Sequence, residues 1–330
     1  MIGWPACTLD TTRSGSCHDS SFLRPLVLVT DVTLMEGMSP TFTIDDFPAL
    51  KATNVYIRDQ RHLIRTINRI LKDGANALQI VTDFDLTLTK QHVDGKKVLS
   101  SFGIFSKCKC LPENYAKESA RLYQTYRPIE IDPCLPLSTK VDAMNSWMIA
   151  AEEILKGLVL EPSEIVDVTR AHGSNLRDGT YELFKKLNAA DVPILVFSAG
   201  LGDVVNCVLQ QYGVFFDNVK VISNFLKFEN GKVAGFKNER LIHVFNKNEH
   251  ALEQDYFKIV EQRRNVLLMG DTIGDAGMVD GMETADAVLK IGFLYEHVES
   301  SLSSYMDEFD IVLVDDQTMN VPTEILQRIL

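Results

Sequence analysis

Leu78-Gln79-Ile80-Val81-Thr82 runs directly into Asp83-Phe84-Asp85-Leu86-Thr87, and this junction constrains the chain more than any other stretch. The apolar and β-branched residues from Leu78 to Thr82 read as a buried strand of a parallel sheet. Asp83 and Asp85 then follow with one residue between them. In open α/β sheets the carboxyl ends of strands are where ligands bind. A strand ending in Asp-x-Asp-x-Thr suits a Mg²⁺ site beside a carboxylate nucleophile. On its own the pair reads more simply as a loop with solvated acids, so the weight falls on what ends the other strands.

Val192-Pro193-Ile194-Leu195-Val196-Phe197-Ser198-Ala199-Gly200 is an apolar run closed by a serine, with Gly200 and Gly202 opening the next helix. A hydroxyl beside the backbone N–H groups of a helix start makes an anion site. Leu241-Ile242-His243-Val244-Phe245-Asn246-Lys247 ends on a lysine. Lys247 becomes a phosphate clamp if the fold carries it to Asp83; Lys237 competes for that role, and periodicity does not choose between them. Asn265-Val266-Leu267-Leu268-Met269-Gly270-Asp271-Thr272-Ile273-Gly274-Asp275 is a further buried strand, ending in Gly-Asp-x-x-Gly-Asp. Its glycines permit a tight turn and close backbone approach. Asp271 and Asp275 can face one cation, because Mg²⁺ sites use one or two carboxylates completed by water and substrate oxygens.

Strands alternating with helices predict an α/β fold with a doubly wound parallel sheet. Leu63, Ile64, Ile67, Ile70 and Leu71 recur at helical spacing and Gly74 follows as a stop. Strands are predicted at 219–223, 287–291 and 310–314, and Asn230-Gly231 signals a hairpin turn. Helices over 114–126, 139–156 and 161–170 suggest a helical cap inserted after the first strand. The expected organisation is an N-terminal extension at 1–50, mobile; a core at 51–89 and 188–330; and a cap at 90–187. Val29-Thr30-Asp31-Val32-Thr33-Leu34 mimics the first motif but has no second acid. Tyr115, Tyr123, Tyr126 and Trp147 in the cap are core residues by default. One or two of them suit stacking on a base, worth roughly 1–3 kcal/mol.

A net charge of −12 over 330 residues argues against non-specific binding of a nucleic-acid polymer. An anionic substrate would then need a locally positive site, which a metal and a lysine supply. No apolar run approaches the ~20 residues a spanning helix needs, and the N-terminus lacks a basic start with an apolar core. The cysteines are scattered, and Cys108-Lys109-Cys110 has no matching pair for zinc. A reduced, cytoplasmic setting is expected, with no membrane partner and a monomeric chain.

Together the four strand-end motifs resemble the haloacid dehalogenase superfamily of phosphohydrolases. The wider wording resembles the cytosolic 5′-nucleotidase III (pyrimidine 5′-nucleotidase) family: Ile80 to Thr89, Ile129-Glu130-Ile131-Asp132-Pro133, Phe197 to Asp203, Phe236-Lys237, Ile242 to Lys247, Gly270 to Gly281, Tyr305-Met306-Asp307 and Asp310 to Leu313. The resemblance implies a Mg²⁺-dependent 5′-nucleotidase acting on nucleoside 5′-monophosphates through an aspartyl-phosphate. It implies Asp83 as nucleophile and Asp85 as general acid and then base. Asp83, the Asp85 main-chain carbonyl and Asp271 would bind the metal. Ser198, Ala199 and Lys247 would hold phosphate, Asp275 would orient the lysine or a metal water, and Glu130 would read the base.

The resemblance departs in the cap. After the tryptophan aligned with Trp147, members continue with another aromatic, then Thr-Lys and a small residue before His, whereas this chain has Met148-Ile149-Ala150-Ala151-Glu152. The base preference is thereby open between pyrimidine monophosphates (UMP, CMP) and 7-methyl-GMP, with a pyrimidine expected, and transfer to a nucleoside hydroxyl is compatible with the same intermediate. The competing readings are a phosphatase for another small monoester such as phosphoserine and a catalytically silent, metal-dependent interaction module. Intact Asp83, Asp85, Ser198, Lys247 and Asp271 argue against the latter.

Overall fold

A computed structural model describes residues 41–132, 134–173, 175–248, 260, 262–280, 282 and 285–330. Along the chain lie β1 (Val55–Ile57), α1 (Gln60–Asp73), β2 (Leu78–Thr82), a hairpin β3–β4 (His92–Val93, Lys96–Lys97), α2 (Ser101–Phe105), α3 (Glu113–Ile131), α4 (Leu137–Leu155), α5 (Pro162–His172) and α6 (Thr180–Ala189). There follow β5 (Ile194–Leu201), α7 (Gly202–Gln211), β6 (Val219–Asn224), a hairpin β7–β8 (Leu226–Glu229, Lys232–Phe236), β9 (Asn265–Gly270), β10 (Ala287–Leu294), α8 (Val298–Glu308), β11 (Ile311–Val314) and α9 (Asn320–Leu326).

The main sheet has the order β1-β11-β10-β9-β2-β5-β6. All its pairs are parallel except the edge pair β1–β11. Every residue of β2 and of β9 is buried, the pattern of parallel strands covered on both faces. Thr82 pairs with Met269 on one side and Val196 on the other, so the carboxyl ends of β9, β2 and β5 come level at the centre of the sheet. From β2 the chain winds outward through β5 and β6, then returns to the other side for β9, β10 and β11. That reversal opens a crevice beside β2, where doubly wound folds take their ligands.

Local signals explain the covering layers. Asp59 caps α1 by accepting from the Arg61 and His62 N–H groups, and Leu63, Ile67 and Ile70 face the core. The hairpin β7–β8 turns at Asn230 and Gly231, with φ of 51° and 72°. The expected helix over 114–126 runs longer as α3, through Pro128 to Ile131. Pro128 is exposed, so water can satisfy the carbonyl that loses its helical donor. The extension puts Tyr126 and Glu130 on one helical face.

Residues 1–40, including the look-alike Val29–Leu34 stretch, lie outside the described residues. Residues 41–50 do not form a loose extension. Their 3-10 turns Ile44–Asp46 and Pro48–Lys51 bury Phe47 and Leu50, and Arg328 lies over the Phe42 and Phe47 rings. Between β2 and β5, α3 packs on α4, while α2 and α5 lie against α7. Glu152 of α4 accepts from the Phe236 N–H of β8 (2.9 Å). Helix α6 crosses the expected cap limit at residue 187, and its Leu183, Phe184 and Leu187 share a buried cluster with Ile80 and Ile194.

Candidate active site

Strand ends and one loop assemble the site. Asp83 follows β2, and its N–H donates to the Met269 carbonyl of β9 (3.0 Å). Lys247 Nζ lies 2.5 Å from Asp83 Oδ1 and 2.8 Å from Asp275 Oδ1, with all three side chains nearly solvent-free. Asp275 Oδ2 accepts from the N–H and hydroxyl of Thr272 (2.9 and 2.7 Å). A side chain at Gly270 would stand 2.3 Å from the Asp275 Cβ, so the glycine before Asp271 is what lets Asp275 fold back to the lysine. The Thr87 hydroxyl reaches Asp271 Oδ1 (3.3 Å), and the Tyr305 hydroxyl donates to the Asp271 carbonyl (2.6 Å).

The structure separates the two lysines that periodicity left in competition, and it is Lys247, the one the resemblance implies, that meets Asp83. Lys247 ends a loop clamped by two asparagines. Asn224 exchanges both amide bonds with Ile242 (2.9 Å each), while Asn246 donates to the Leu241 carbonyl (2.9 Å) and accepts from the His243 N–H (2.8 Å). Lys237 lies instead over the Phe225 ring, 5.7 Å from its centroid.

Asp85 turns toward the inserted segment. Its carboxylate accepts from the N–H and the hydroxyl of Ser101 (2.8 and 2.6 Å), at the start of α2. A Cβ at Gly200 would stand 2.1 Å from Ser101 Oγ and 2.7 Å from Asp85 Oδ2, so glycine is required for this approach. Ser198 Oγ accepts from the Gly200 N–H (3.0 Å), and Ala199 lies next to it in β5. Ser101, Thr87, Asn224, Asn246 and Tyr305 are the supporting residues that the sequence reading missed. Thr87 carried a signal as the threonine closing Asp-x-Asp-x-Thr, and Asn246 and Tyr305 stood within the family phrases without a role; Ser101 and Asn224 carried none.

The electrostatics call for a cation. Burial pushes the Asp83 carboxyl up to about 7 against the pull of Lys247, with Asp275 and Asp85 adding repulsion. Asp271 is raised well above the usual range by burial and by Asp83 and Asp275. Burial also raises Asp85, opposed by the Ser101 hydrogen bonds. Burial works against the Lys247 charge, yet Asp275 and Asp83 hold its pKa above the usual lysine value. Oxygens of Asp83, Asp271 and Asp275 lie within 4.8 Å of one another. Hard carboxylate oxygens in charge excess over one lysine fit a hard divalent cation such as Mg²⁺.

Above this floor, α3 presents Glu130, whose Oε2 lies 2.6 Å from Arg127 Nη1. Burial works against the Arg127 charge, but Glu130 above all, with smaller contributions from Tyr123 and then Asp271, holds its pKa above the usual arginine value. Tyr126 stacks on Trp147 with centroids 5.8 Å apart and planes 12° from parallel, and Tyr123 meets the same indole edge-on.

The Lys247 loop also carries a pH liability. His243 is buried, and its Nδ1 accepts from the Phe245 N–H (3.2 Å), so protonation would set two N–H groups face to face. Burial, aided by Arg240, lowers its pKa from 6.5 to about 4. A histidine depressed in the folded state contributes stability that is complete above its unfolded pKa and is lost as pH falls toward the folded one. Denaturant midpoints are therefore expected to show about 2 kcal/mol lost between pH 7 and pH 4.5 that His243→Gln does not lose. Parallel pH curves for the two proteins would refute this.

Comparison with known proteins agrees with the geometry. The chain matches the family described as pyrimidine 5′-nucleotidase (UMPH-1) over residues 86–330. It is 46% identical to the 7-methylguanosine phosphate-specific 5′-nucleotidase of Drosophila melanogaster, across 87% of this chain and 90% of that one. Identity to the Homo sapiens enzyme of the same name is 38%, across 85% and 94%. Among solved structures, cytosolic 5′-nucleotidase IIIB bound to cytidine matches with a TM-score of 0.83 and 46% identity, covering 87% of this chain and 97% of that one.

Proposed function

The chain belongs to the pyrimidine 5′-nucleotidase family, with a haloacid dehalogenase-like α/β core and the phosphomonoester hydrolase activity of a 5′-nucleotidase; on that premise we propose that it hydrolyses 7-methyl-GMP, with CMP and UMP as further substrates. The observation that carries this preference is the Tyr126–Trp147 stack on the helical face that also bears Glu130. Methylation at N7 gives guanine a positive charge. A cationic ring is attracted to aromatic faces and to a carboxylate, by roughly 0.5–2 kcal/mol for the aromatic part. A pyrimidine offers neither that charge nor the larger stacking area, which is why the order of preference here differs from the pyrimidine expected from sequence. Two relatives named for 7-methylguanosine phosphate support the same order.

In this reading an Asp83 carboxylate oxygen attacks phosphorus as the bond to the 5′-oxygen breaks, and Asp85 gives its proton to that oxygen. Water then attacks the phosphorus of the aspartyl-phosphate while Asp85 takes up the water proton, releasing phosphate and restoring Asp83. Lys247 and the Ser198 hydroxyl hold the equatorial oxygens, with the Ala199 N–H beside them, and Asp275 holds Lys247 in place. Asp83, the Asp85 main-chain carbonyl and Asp271 would bind Mg²⁺, which supplies positive charge to the phosphate oxygens. The raised Asp85 pKa suits a residue that must start protonated. No described helix is long and apolar enough to cross a membrane. A cytosolic, monomeric enzyme belongs to the same proposal.

Phosphate release with Mg²⁺ across 7-methyl-GMP, CMP, UMP, AMP and phosphoserine tests the reading. The expected result is the highest kcat/KM for 7-methyl-GMP, falling about 10–100-fold in Glu130→Ala, with phosphoserine untouched by wild type. Turnover of phosphoserine alone would keep the catalytic floor and overturn the substrate. Equal loss on 7-methyl-GMP and CMP in Glu130→Ala would remove its selectivity for the cationic base.

A further inference from the structure

Arg177 is one of the largest fully buried side chains in the protein, 1% exposed, and no carboxylate lies in salt-bridge contact with it among the described residues. Burial works against the guanidinium charge more than Asp316, Asp271 and Asp315 favour it, so its three nitrogens need hydrogen bonds. They go to main-chain carbonyls. Nη2 donates to Leu86 O (2.6 Å), Nε to Thr87 O (2.6 Å) and Nη1 to Asp316 O, while the Arg177 main-chain N–H donates to Leu88 O (2.9 Å). Phe293 of β10 lies under the guanidinium, 3.9 Å from Cζ to the ring centroid.

The segment held in this way is the turn immediately after Asp85. Its inner side is closed by the N–H groups of Thr87, Leu88 and Thr89 on the Phe84 carbonyl, and by the Leu86 N–H on Thr89 Oγ1 (2.7 Å). Leu86 sits at φ 64°, a left-handed conformation that a leucine adopts only when its surroundings impose it. The outward carbonyls of Leu86, Thr87 and Leu88 all end on Arg177. This turn sets the direction of the Asp85 carbonyl and carries Thr87 to Asp271.

We propose that Arg177 is a positioning residue: its fork fixes the turn after Asp85 so that the Asp85 carbonyl and the Asp83 and Asp271 carboxylates stand in register for a divalent cation. The inference rests on the metal assignment above but not on the choice of nucleotide. A lysine keeps the charge and cannot bridge the same carbonyls, because only the planar fork presents donors in several fixed directions.

Mn²⁺ is the probe, its binding to the full chain followed by electron paramagnetic resonance, alongside steady-state kinetics. Arg177→Ala and Arg177→Lys are expected to weaken Mn²⁺ about 10–100-fold and to lower kcat by a similar factor, with KM for the nucleotide within about 3-fold. Added guanidinium should restore part of the Mn²⁺ affinity to Arg177→Ala and none to Arg177→Lys. Folded variants with wild-type Mn²⁺ affinity overturn the proposal, as does a loss confined to KM. Failure of both variants to fold overturns it too, since the arginine would then hold the fold and not the turn. If wild type binds no Mn²⁺, the metal reading itself fails, an outcome distinct from wild-type binding that the variants leave unchanged.

Discussion

Asp83→Asn should lower phosphate release from any nucleotide by about 10⁴-fold or more while the protein stays folded. Asparagine has nearly the same shape and volume, and its amide oxygen can still accept from Lys247, which now lies 2.5 Å from Asp83. What it lacks is a carboxylate able to attack phosphorus. Folding should hardly notice the change. The Asp83 carboxyl is pushed up to about 7 by burial and by neighbouring acids, so a neutral group there removes repulsion as well as attraction to Lys247. The melting temperature is therefore expected within a few degrees of wild type. Acid quenching during turnover should trap a base-labile phosphoprotein in wild type and none in the variant. A folded Asn variant that retains more than about 1% of turnover would remove the nucleophile assignment.

Much of this floor was legible because Asp83, Ser198 and Asp271 each lie at the end of a run of buried apolar residues, and parallel sheets bring such ends together whatever the intervening chain does. The apolar runs do not say which strands are neighbours; the register of Thr82 with Met269 and Val196 does, and it brings the strand ends that carry Asp83, Ser198 and Asp271 level with one another. Short-range signals also read true: the Gly74 stop of α1 and the Asn230-Gly231 turn are decided within a few residues. Periodicity left Lys247 and Lys237 in competition and only the resemblance favoured Lys247, because its position depends on Asn224 gripping Ile242 from an edge strand. Ser101 was hidden for the same reason. It starts a helix too short to announce itself and reaches Asp85 only through tertiary folding. Arg177 has no motif around it, and only the fold shows it buried against main-chain carbonyls. The continuation of α3 past Pro128 was missed because proline is a stop signal in sequence, while at an exposed position it costs one hydrogen bond that water can replace.

Lys247→Met should separate the two roles of this lysine, structural counter-ion and phosphate clamp. Its ammonium is wedged between Asp83 and Asp275, with Asp271 in the same cluster. Removing one member of a buried ion pair costs about 3–5 kcal/mol, because the remaining charge has neither solvent nor partner. Some of that cost is relieved here, since these carboxyls sit in surroundings that already favour taking up a proton. Without divalent cation the variant is thus expected to melt roughly 5 °C or more below wild type. Mg²⁺ should return most of the lost stability, because a divalent ion among the same carboxylates offsets the charge that the lysine supplied. It should not return turnover. In the proposed mechanism Lys247 stabilises charge that spreads onto phosphoryl oxygens in the transition state, and loss of such a group lowers kcat by about 10²–10³-fold. Thermal melts in EDTA and in Mg²⁺, set beside kcat, distinguish the outcomes. Full recovery of kcat by Mg²⁺ would mean that Lys247 serves only to balance buried charge, and the phosphate clamp would then have to be sought in Ser198 and the backbone N–H groups of the loop after β5.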